Sequence, residues 1–452
     1  MSEVRVGIVA DDLTGATTVA ACLAAKGVEN VVVVSASCSE ALGSCIPAVV
    51  LSTDSRALSP DDARSRVTDA TRRLKESGAT LFSKRIDTTL RGGIGYEIDA
   101  MLDALSGDHV AIVVPSMPGS RRIMVGGFSI IDSVLLTDTA VARDVRTPVT
   151  QPHVPTLIQA QSSHKVAEFH IDDVCAGSEL LAKKLLASRN QGTRIFVVDA
   201  INDEDVNVVA QAVTGLAWDV VCVDPGPLTT AYALANGIRT APPEAKASLR
   251  AGIALDSPGT VVVVAGSATG VTREQIAELV SQNGTFVLDV AVAPMIAGGK
   301  RYDDEYAKVM RRLEGILAND APKVIVVVLH SSLTGELVDM NSVEDCFGIE
   351  RGTGPSRLAT SLGKLGSLVM RRVGESLAGV YLTGGDIMIS TVRAMEAEGI
   401  SLEGYVIPQS DQGHLVGGPF DDLPVVGKGG LTGDKMTAAY IVNRIFDERK
   451  VA

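Results

Sequence analysis

The sequence predicts an α/β protein built from two α/β domains with mostly parallel sheets. Short runs of Val, Ile, Leu and Ala alternate with amphipathic helical segments along the whole chain. Hydrophobic residues make up 46% of the sequence and aromatic residues only 4%. Such aliphatic packing is typical of parallel strands covered by helices on both faces. A chain of 452 residues is too long for one hydrophobic core, so two domains are expected.

The N-terminal half shows the α/β alternation with one interruption. A strand containing Val6, Ile8 and Val9 opens the chain, and the helix after it reaches to about Lys26. Further strands are predicted at 31–34, 48–51, 79–83, 109–114, 194–198 and 220–223, with helices at 60–77, 96–105, 178–188 and 203–216. Residues 115–163 lack strong periodicity, and we expect a long excursion there, a hairpin and lid near the site.

A second alternation begins after a proline-rich boundary. Residues 236–258 contain Pro242, Pro243 and Pro258 around a short basic helix, so the domains are predicted at 1–240 and 241–452. Strands are predicted at 260–265, 285–288, 323–329, 379–382, 402–407 and 424–427, and helices at 271–282, 302–318, 354–373, 387–398 and the C-terminus. Residues 413–419 are predicted to be rich in turns.

Composition and missing motifs disfavour several classes of protein. A net charge of −13 without any basic run disfavours nucleic-acid binding. Six scattered cysteines without a CxxC pair indicate a reducing compartment. No signal-peptide pattern and no apolar run of about 18–20 residues are present, so a cytoplasmic protein without a membrane span is expected. The HExxH, GxSxG and P-loop motifs are absent, as is a GxGxxG with a suitably spaced acidic residue.

Two adjacent carboxylates, Asp11 and Asp12, mark the end of the first predicted strand, and Thr14 and Gly15 open the next helix. In open α/β sheets, ligands bind outside the carboxyl ends of strands, where the next helix offers unpaired N–H groups. A simpler interpretation is that Asp12 or Thr14 only caps the helix. One carboxylate would suffice for a cap, so the pair indicates a working site.

Cations follow two other predicted strands. Arg56 comes after the third strand and is a candidate anion-binding residue, with a surface pair to Asp54 as the alternative. The segment KRIDTTLRGGIG, residues 84–95, combines cations, a carboxylate, hydroxyls and glycines. Lys84 and Arg91 are suited to hold a carboxylate or phosphate, and Asp87 to receive a hydroxyl proton or hold a metal-bound water. The alternative is a solvated charged turn.

Three turns rich in Gly, Ser and Thr follow strands of the C-terminal half, at Ser267, at 384–386 and at 428–433. Each would present backbone N–H groups to an anion. One such turn is weak support, but three on one sheet edge predict a cradle for the phosphates and adenosine of a nucleotide. His330 and His414 lie near candidate turns, although a lone histidine is more often structural.

Five motifs resemble the four-carbon acid sugar kinases, ATP-dependent kinases for threonate, erythronate and 3-oxo-tetronate. They are IVADDLTGA at 8–16, TDSR at 53–56, KRIDTTLRGGIGYEIDA at 84–100, TGGD at 383–386 and VVGKGGLTGD at 425–434. The resemblance covers almost the whole chain in the right order. It implies an N-terminal substrate domain, a C-terminal nucleotide domain and an active site in the interdomain cleft.

The resemblance also implies site residues. The sugar-acid site would comprise Asp12, Arg56, Lys84, Arg85, Ile86 and Asp87, and the ATP site Ser267, Gly384, Gly385, Asp386, Ile387 and Gly430. We add the adjacent Asp11 and Arg91 to the first set and Lys428 and Gly429 to the second. The position of Arg85 is usually lysine in the family. Residues 117–127 depart from its glycine-arginine-threonine pattern, so Arg121 and Arg122 receive no role.

The expected reaction is phosphoryl transfer from ATP to a hydroxyl of a four-carbon sugar acid. Arg56 and Lys84 would hold the carboxylate of the acid. Asp12 or Asp87 would take the hydroxyl proton, with Asp386 as a further candidate base. Mg²⁺ is the expected metal cofactor. In an alternative to the role of Asp12 as base, the Asp11–Asp12 pair would hold this ion through water. The domains are expected to close and exclude water.

Two other functions stay open, a non-catalytic sugar-acid binding or sensor protein and, with less support, a dehydrogenase. Neither a nucleic-acid nor a membrane partner is expected, and a homodimer is left open. The resemblance does not resolve which tetronate is used.

Overall fold

The computed structural model describes residues 4–34, 46–105, 107–144, 147–241, 252–319, 321–336, 338–430 and 432–449. These residues fall into two compact units. The N-terminal unit lies within 1–33 and 38–243, and the C-terminal unit lies within 34–37 and 244–452. Both units are α/β, and their main sheets are mostly parallel, which confirms the predicted fold class. The short basic helix predicted beyond Pro243 falls largely on residues 242–251, outside the described part.

The elements of the N-terminal unit alternate as expected. Its strands are β1 (Val6–Ala10), β2 (Asn30–Val33), β3 (Ala48–Ser52), β4 (Leu81–Arg85), β5 (Val110–Val113), β6 (Arg122–Val125), β7 (Phe128–Ile131), β8 (Val134–Leu135), β9 (Val166–Phe169), β10 (Ile195–Val198) and β11 (Val220–Asp224). Its helices are α1 (Leu13–Ala24), α2 (Pro60–Glu76), α3 (Ile94–Leu105), α4 (Val154–Gln161), α5 (Ile171–Cys175), α6 (Ser178–Arg189), α7 (Asp203–Thr214) and α8 (Pro227–Ala235).

Eight strands of this unit pair in parallel in the order β2-β3-β1-β4-β11-β5-β10-β9. Ala10, the last residue of β1, pairs with Ser52 and with Arg85, and Arg85 pairs with Asp224. The carboxyl ends of four adjacent strands therefore share one edge. Side chains that follow these strands must gather there.

The position of β4 corrects one prediction. A strand was predicted at 79–83, but β4 runs from Leu81 to Arg85. Lys84 and Arg85 are therefore strand residues, not loop residues, and both are buried. Lys84 and Arg85 can lie inside the sheet because carboxylates from other elements compensate their charges. Glu97 pairs with Lys84, and Asp11 and Asp12 pair with Arg85.

The excursion between β5 and β9 contains a small sheet of its own. Strands β6, β7 and β8 form an antiparallel meander. The amides of Gly126 and Gly127 at its first turn donate to the Asp199 carboxylate at 2.6 and 3.0 Å. This buried carboxylate fixes the hairpin to the end of β10.

The C-terminal unit repeats the alternation with seven strands and eight helices in its described part. The strands are β12 (Thr260–Ala265), β13 (Thr285–Val290), β14 (Val324–Leu329), β15 (Leu377–Thr383), β16 (Gly399–Ile407), β17 (Ser410–Val416) and β18 (Pro424–Lys428). The helices are α9 (Gly270–Val280), α10 (Val292–Ala297), α11 (Gly299–Asn319), α12 (His330–Thr334), α13 (Met340–Phe347), α14 (Gly354–Val373), α15 (Gly385–Ala394) and α16 (Thr437–Arg449).

The sheet of this unit has the order β13-β14-β12-β15-β18-β17-β16, in which β17 runs antiparallel to both neighbours. The prediction of turns at 413–419 is wrong for residues 413–416, which belong to β17. Gly413 pairs with Leu402, and a Cβ there would lie 2.0 Å from the Ser401 carbonyl oxygen. Gly413 thus permits a close approach of two strands, and it does not mark a turn.

Helices cover the sheets with aliphatic side chains, as the composition predicts. One core cluster lies around β5, β10 and β11 and another around β12, β14 and β15. Across the residues that the structure describes, no helix combines the length and apolarity needed to span a membrane.

Candidate active site

Arg56 stands at the centre of the charged edge of the N-terminal unit. Its Nε lies 2.7 Å from Asp11 Oδ2, and its Nη1 lies 2.7 Å from Asp12 Oδ2. Its Nη2 lies 4.0 Å from Asp87 Oδ1. Among the described residues Arg56 forms no ion pair with Asp54, so the alternative prediction of a surface pair between these two residues is wrong. One guanidinium instead joins carboxylates from two strand ends.

Arg85 approaches the same carboxylates from β4. Its Nη1 lies 3.5 Å from Asp11 Oδ1 and 3.3 Å from Asp12 Oδ1. The guanidinium crosses α1 so closely that a Cβ on Gly15 would lie 1.8 Å from Nη1. Asp12 Oδ1 also accepts the Gly15 amide at 2.8 Å and caps α1. The capping interpretation of Asp12 is therefore confirmed, and the same carboxylate also belongs to the charged cluster.

Asp87, just beyond β4, is surrounded by donors. Its Oδ2 accepts from Arg91 Nε at 2.6 Å and from the Thr89 hydroxyl at 2.5 Å. Arg91 Nη1 lies 3.5 Å from Asp144, in the excursion after β8. The loop 86–93 is therefore tied to the excursion, and it is not a freely solvated charged turn.

Lys84 is not positioned to touch a ligand directly. Its side chain is 1% exposed, and its ammonium lies 2.7 Å from Glu97 Oε2 and donates to the Arg85 carbonyl at 2.8 Å. In this geometry the ammonium would have to leave Glu97 to bind a substrate carboxylate.

Ile86 is likewise restricted. Its side chain is buried, and its amide donates to the Asp224 carbonyl at 3.1 Å. Of its backbone groups, only the carbonyl oxygen is left to meet a ligand.

The pKa values of the three aspartates diverge. Burial raises the pKa of the Asp12 carboxyl above its ordinary value, and the neighbouring Asp11 adds to this against the opposing charge of Arg56. In Asp11 burial acts in the same direction, but the attraction of Arg56 and Lys84 outweighs it and lowers the pKa. Arg56 and Arg91 likewise outweigh burial at Asp87 and lower its pKa. Asp12 is therefore the best proton acceptor of the three.

A cavity of about 450 Å³ opens beside Arg56. Gly92, Gly93 and Tyr96 line one side, and residues from the segment 147–161 line the other. Its volume is in the range of small-molecule sites. The excursion thus supplies a wall next to the charged cluster.

The three glycine-rich turns of the C-terminal unit lie on one edge of its sheet. Ala265 at the end of β12 pairs with Thr383 at the end of β15, and Thr383 pairs with Lys428 at the end of β18. Helix α15 follows Gly384 without a side-chain cap. The N-cap residue Gly384 therefore offers no side-chain acceptor to the first-turn amides, which are suited to bind an anion.

Hydrogen bonds join two of these turns. The hydroxyls of Thr269 and Thr272 donate to the Gly430 carbonyl at 2.5 and 3.0 Å. Ser267 lies beside this contact, with its Oγ 3.2 Å from Thr269 Oγ1. The side chain of Ile387 is buried, so any contact of this residue with a ligand would be made by its backbone.

Lys428 is a buried cation at this edge. It is 2% exposed, and its ammonium donates to the carbonyls of Gly429 and Thr432 at 2.7 and 3.3 Å. No carboxylate of the described residues forms an ion pair with it. Burial lowers its pKa to about 8. A buried cation with only carbonyl partners favours an anion nearby.

One group of three potential metal ligands occurs in the described chain, Glu403, His414 and Glu448 of the C-terminal unit. Ion pairs account for it, since His414 Nδ1 lies 2.8 Å from Glu403 and Arg444 Nη2 lies 3.2 Å from Glu448. These contacts give His414 a structural role, as expected for a lone histidine.

Comparisons with known proteins identify the family to which the chain belongs. The family described as "Sugar-binding N-terminal domain" matches residues 6–232, and that described as "Nucleotide-binding C-terminal domain" matches residues 262–438. The chain belongs to the four-carbon acid sugar kinase family.

Relatives of this family member carry kinase names. A D-erythronate kinase from Heliobacterium modesticaldum is 33% identical over 98% of both chains. A D-threonate kinase from Salmonella typhimurium is 30% identical over 97% of this chain and 98% of its own. A 3-oxo-tetronate kinase from Brucella melitensis is 24% identical over 90% and 88%. A solved Haemophilus influenzae protein shares the fold, with a TM-score of 0.70, 22% identity and coverage of 96% and 98%.

In this family member, the contacts of Glu97 with Lys84 and of Asp144 with Arg91 were not predicted from the sequence. Glu97 had a usable signal, because it stands on α3 among Ile94, Ile98 and Met101, whose side chains are buried. A carboxylate on a buried helix face calls for a cationic partner. Asp144 lies in a segment without periodicity, and no sequence signal marks it.

Proposed function

We propose that this protein is an ATP-dependent kinase that phosphorylates a hydroxyl of a four-carbon sugar acid. The observation that carries the proposal is the set of three aspartates around Arg56, in which Asp12 alone has a raised pKa. A base beside fixed arginines suits the deprotonation of a hydroxyl on an anionic substrate. The kinase names of the relatives support the same reaction.

The acid would bind where the cluster is accessible. The side chains of Arg56, Asp12 and Arg91 are 16, 23 and 31% exposed. Arg85 is buried, yet its Nε lacks a hydrogen-bond partner among the described atoms, which leaves a donor for an acceptor oxygen. We assign Arg56 and Arg91 to the carboxylate of the acid, Asp12 to the acceptor hydroxyl, and the cavity beside Arg56 to the carbon chain.

The nucleotide would bind the glycine-rich edge of the C-terminal unit. The uncapped first turn of α15 and Lys428 would hold phosphates, with Ser267 and Gly430 beside them. Mg²⁺ needs only one or two carboxylates together with phosphates and water. Asp11 and Asp12 would hold it through water only as an alternative to the role of Asp12 as base, not together with that role. Bound with ATP, the ion neutralises phosphate charge. The functional domains at 1–240 and 241–452, the cleft between them and the cytoplasmic location stay predictions.

Lys428 gives this nucleotide site a pH dependence. We expect kcat/KM for ATP to fall as pH rises through about 8, the pKa of Lys428, because the neutral amine no longer attracts phosphate. In the kcat profile the fall should move to higher pH, since bound phosphate favours the ammonium. Lys428→Met should show a low kcat/KM without this step. A retained step at pH 8 in the variant would contradict the assignment.

A panel assay tests the proposed function. D-threonate, D-erythronate and 3-oxo-tetronate are each incubated with ATP and Mg²⁺, and ADP release is measured. Parallel reactions receive NAD⁺ or NADH instead of ATP and are followed by absorbance, and binding of each acid is measured separately. We expect ADP release with at least one acid. Binding without ADP release would favour the sensor, and a change in NAD(H) absorbance would favour the dehydrogenase.

A further inference from the structure

We propose that Glu97 is a positioning residue that fixes Arg56 and Arg85, two of the three arginines that contact the aspartates of the acid cluster. The inference rests on the proposed function of that cluster. Glu97 lies in the first turn of α3 and is 2% exposed. Its Oε1 accepts the Ser55 hydroxyl at 2.8 Å, and its Oε2 lies 2.7 Å from Lys84 Nζ. One buried carboxylate therefore binds two separate strand ends.

Each of the two residues bound by Glu97 directly precedes an arginine of the cluster. Ser55 precedes Arg56, and Lys84 precedes Arg85. The amides of Ser55 and Arg56 also donate to the Asp11 carbonyl at 2.9 and 3.4 Å. The backbone that carries Arg56 is thus held by Asp11 on one side and Glu97 on the other.

The network around Glu97 is closed. Thr53 Oγ1 lies 2.8 Å from Ser55 Oγ and donates to the Ala10 carbonyl at 2.9 Å. Lys84 Nζ also donates to the Arg85 carbonyl at 2.8 Å. A buried network of this kind defines geometry, because leaving one of its members unpaired is costly.

Charge explains why a carboxylate is required. Without Glu97, the Lys84 ammonium would be buried with only a carbonyl partner. With Glu97, a carboxylate oxygen lies 2.7 Å from the ammonium and compensates its charge. Glu97 itself touches no ligand position, so its effect must pass through Arg56 and Arg85.

The experiment compares Glu97→Gln with Asp99→Asn. Asp99 is a matched control, since it is on the same helix, is also 2% exposed, and accepts from Ser162 Oγ at 2.5 Å and the Ser163 amide at 2.8 Å. It forms no ion pair with the cluster residues of the described chain. The readouts are kcat and KM for the acid, KM for ATP, and the melting temperature.

Both variants should lower the melting temperature, but only Glu97→Gln should impair the use of the acid. We expect its kcat/KM for the acid to fall by about 100-fold, the scale of a 1 Å misplacement, with KM for ATP nearly unchanged. Adding Lys84→Met to Glu97→Gln should restore the melting temperature but not kcat/KM. Equal kinetic effects of Glu97→Gln and Asp99→Asn, or recovery of activity together with stability, would overturn the inference.

Ser55→Ala covers the case in which Glu97→Gln does not fold. This variant removes only the hydroxyl that donates to Glu97 Oε1. We expect kcat/KM for the acid to fall by about tenfold, which corresponds to roughly 1.4 kcal/mol, the scale of one hydrogen bond. An unchanged value would overturn the inference. If the wild type releases no ADP from any acid, the kinase proposal fails, and the same variants are then compared by calorimetric affinity for the acid. Unaltered affinity in Glu97→Gln would reject the positioning role independently.

Discussion

Replacing Asp12 with asparagine is expected to lower kcat by about 10²–10⁴-fold, the usual contribution of general base catalysis, and to leave KM for ATP nearly unchanged. Asp12 is the aspartate of the cluster whose pKa is raised, so it accepts a proton more readily than Asp11 or Asp87. Asparagine keeps an oxygen that can accept the Gly15 amide, and it is a good N-cap residue. Folding should therefore survive while the base is lost.

The pH profile separates the base from a merely structural residue. In the wild type, kcat/KM for the acid should fall as pH drops through the raised pKa of Asp12, because the protonated carboxyl cannot take a proton. The variant should lack this limb. Asp339→Asn is a suitable control, since Asp339 caps α13 through the Asn341 amide and should have no effect on kcat. An undiminished kcat in Asp12→Asn would transfer the role of the base to Asp87 or Asp386.

Replacing Arg56 with alanine is expected to raise KM for the acid far more than KM for ATP and to destabilise the N-terminal unit. The guanidinium binds Asp11 and Asp12 at 2.7 Å each. Its loss should cost less than the roughly 3–5 kcal/mol of a fully buried ion pair, because Arg85 stays 3.5 Å from Asp11 and Asp12 is 23% exposed. The measurements are steady-state kinetics with each substrate varied and unfolding in urea. A larger rise in KM for ATP than for the acid would relocate the acid site.

The destabilisation should depend on pH. Asp11 and Asp87 have folded-state pKa values below their ordinary range, with Arg56 the largest favourable charge. Their contribution is present above the unfolded-state pKa of about 4 and is lost as pH falls through the folded-state values. The stability gap between Arg56→Ala and the wild type should therefore narrow on acidification. Arg66→Ala is the control, because Arg66 holds the same loop by donating to the carbonyls of Thr53 and Asp54 at 2.9 and 3.2 Å without reaching the cluster.

The fold could be predicted to the level of alternating elements, because aliphatic runs and helical periodicity are local signals. The strand end at Asp11 and the turns at Gly384 and Gly430 follow from that pattern. The placement of β4 and β17 could not be predicted. In both, a tertiary contact overrides the local chemistry, namely the compensation of charges in β4 and the close pairing of Gly413 in β17.

The candidate site could be predicted as a list of residue types but not as a set of partners. Lys84 illustrates the difference, since a lysine beside a glycine-rich turn suggests a ligand, whereas its ammonium binds Glu97 at 2.7 Å. Arg56 illustrates the opposite case, because its surface pair with Asp54 was equally plausible from sequence. Pairing depends on distances between elements far apart in the chain, which periodicity does not encode.

The contact between Gly15 and the Arg85 guanidinium sets a limit on efforts to raise thermostability. Exchanging a helical glycine for alanine commonly gains roughly 0.5–1 kcal/mol, and α1 would look like a good target to a designer who inspects only helix propensity. Here the added methyl group would displace Arg85 from the two aspartates. Gly15 must therefore be kept in the first turn of α1 although glycine is a weak helix former, and stabilising substitutions should be made in other helices.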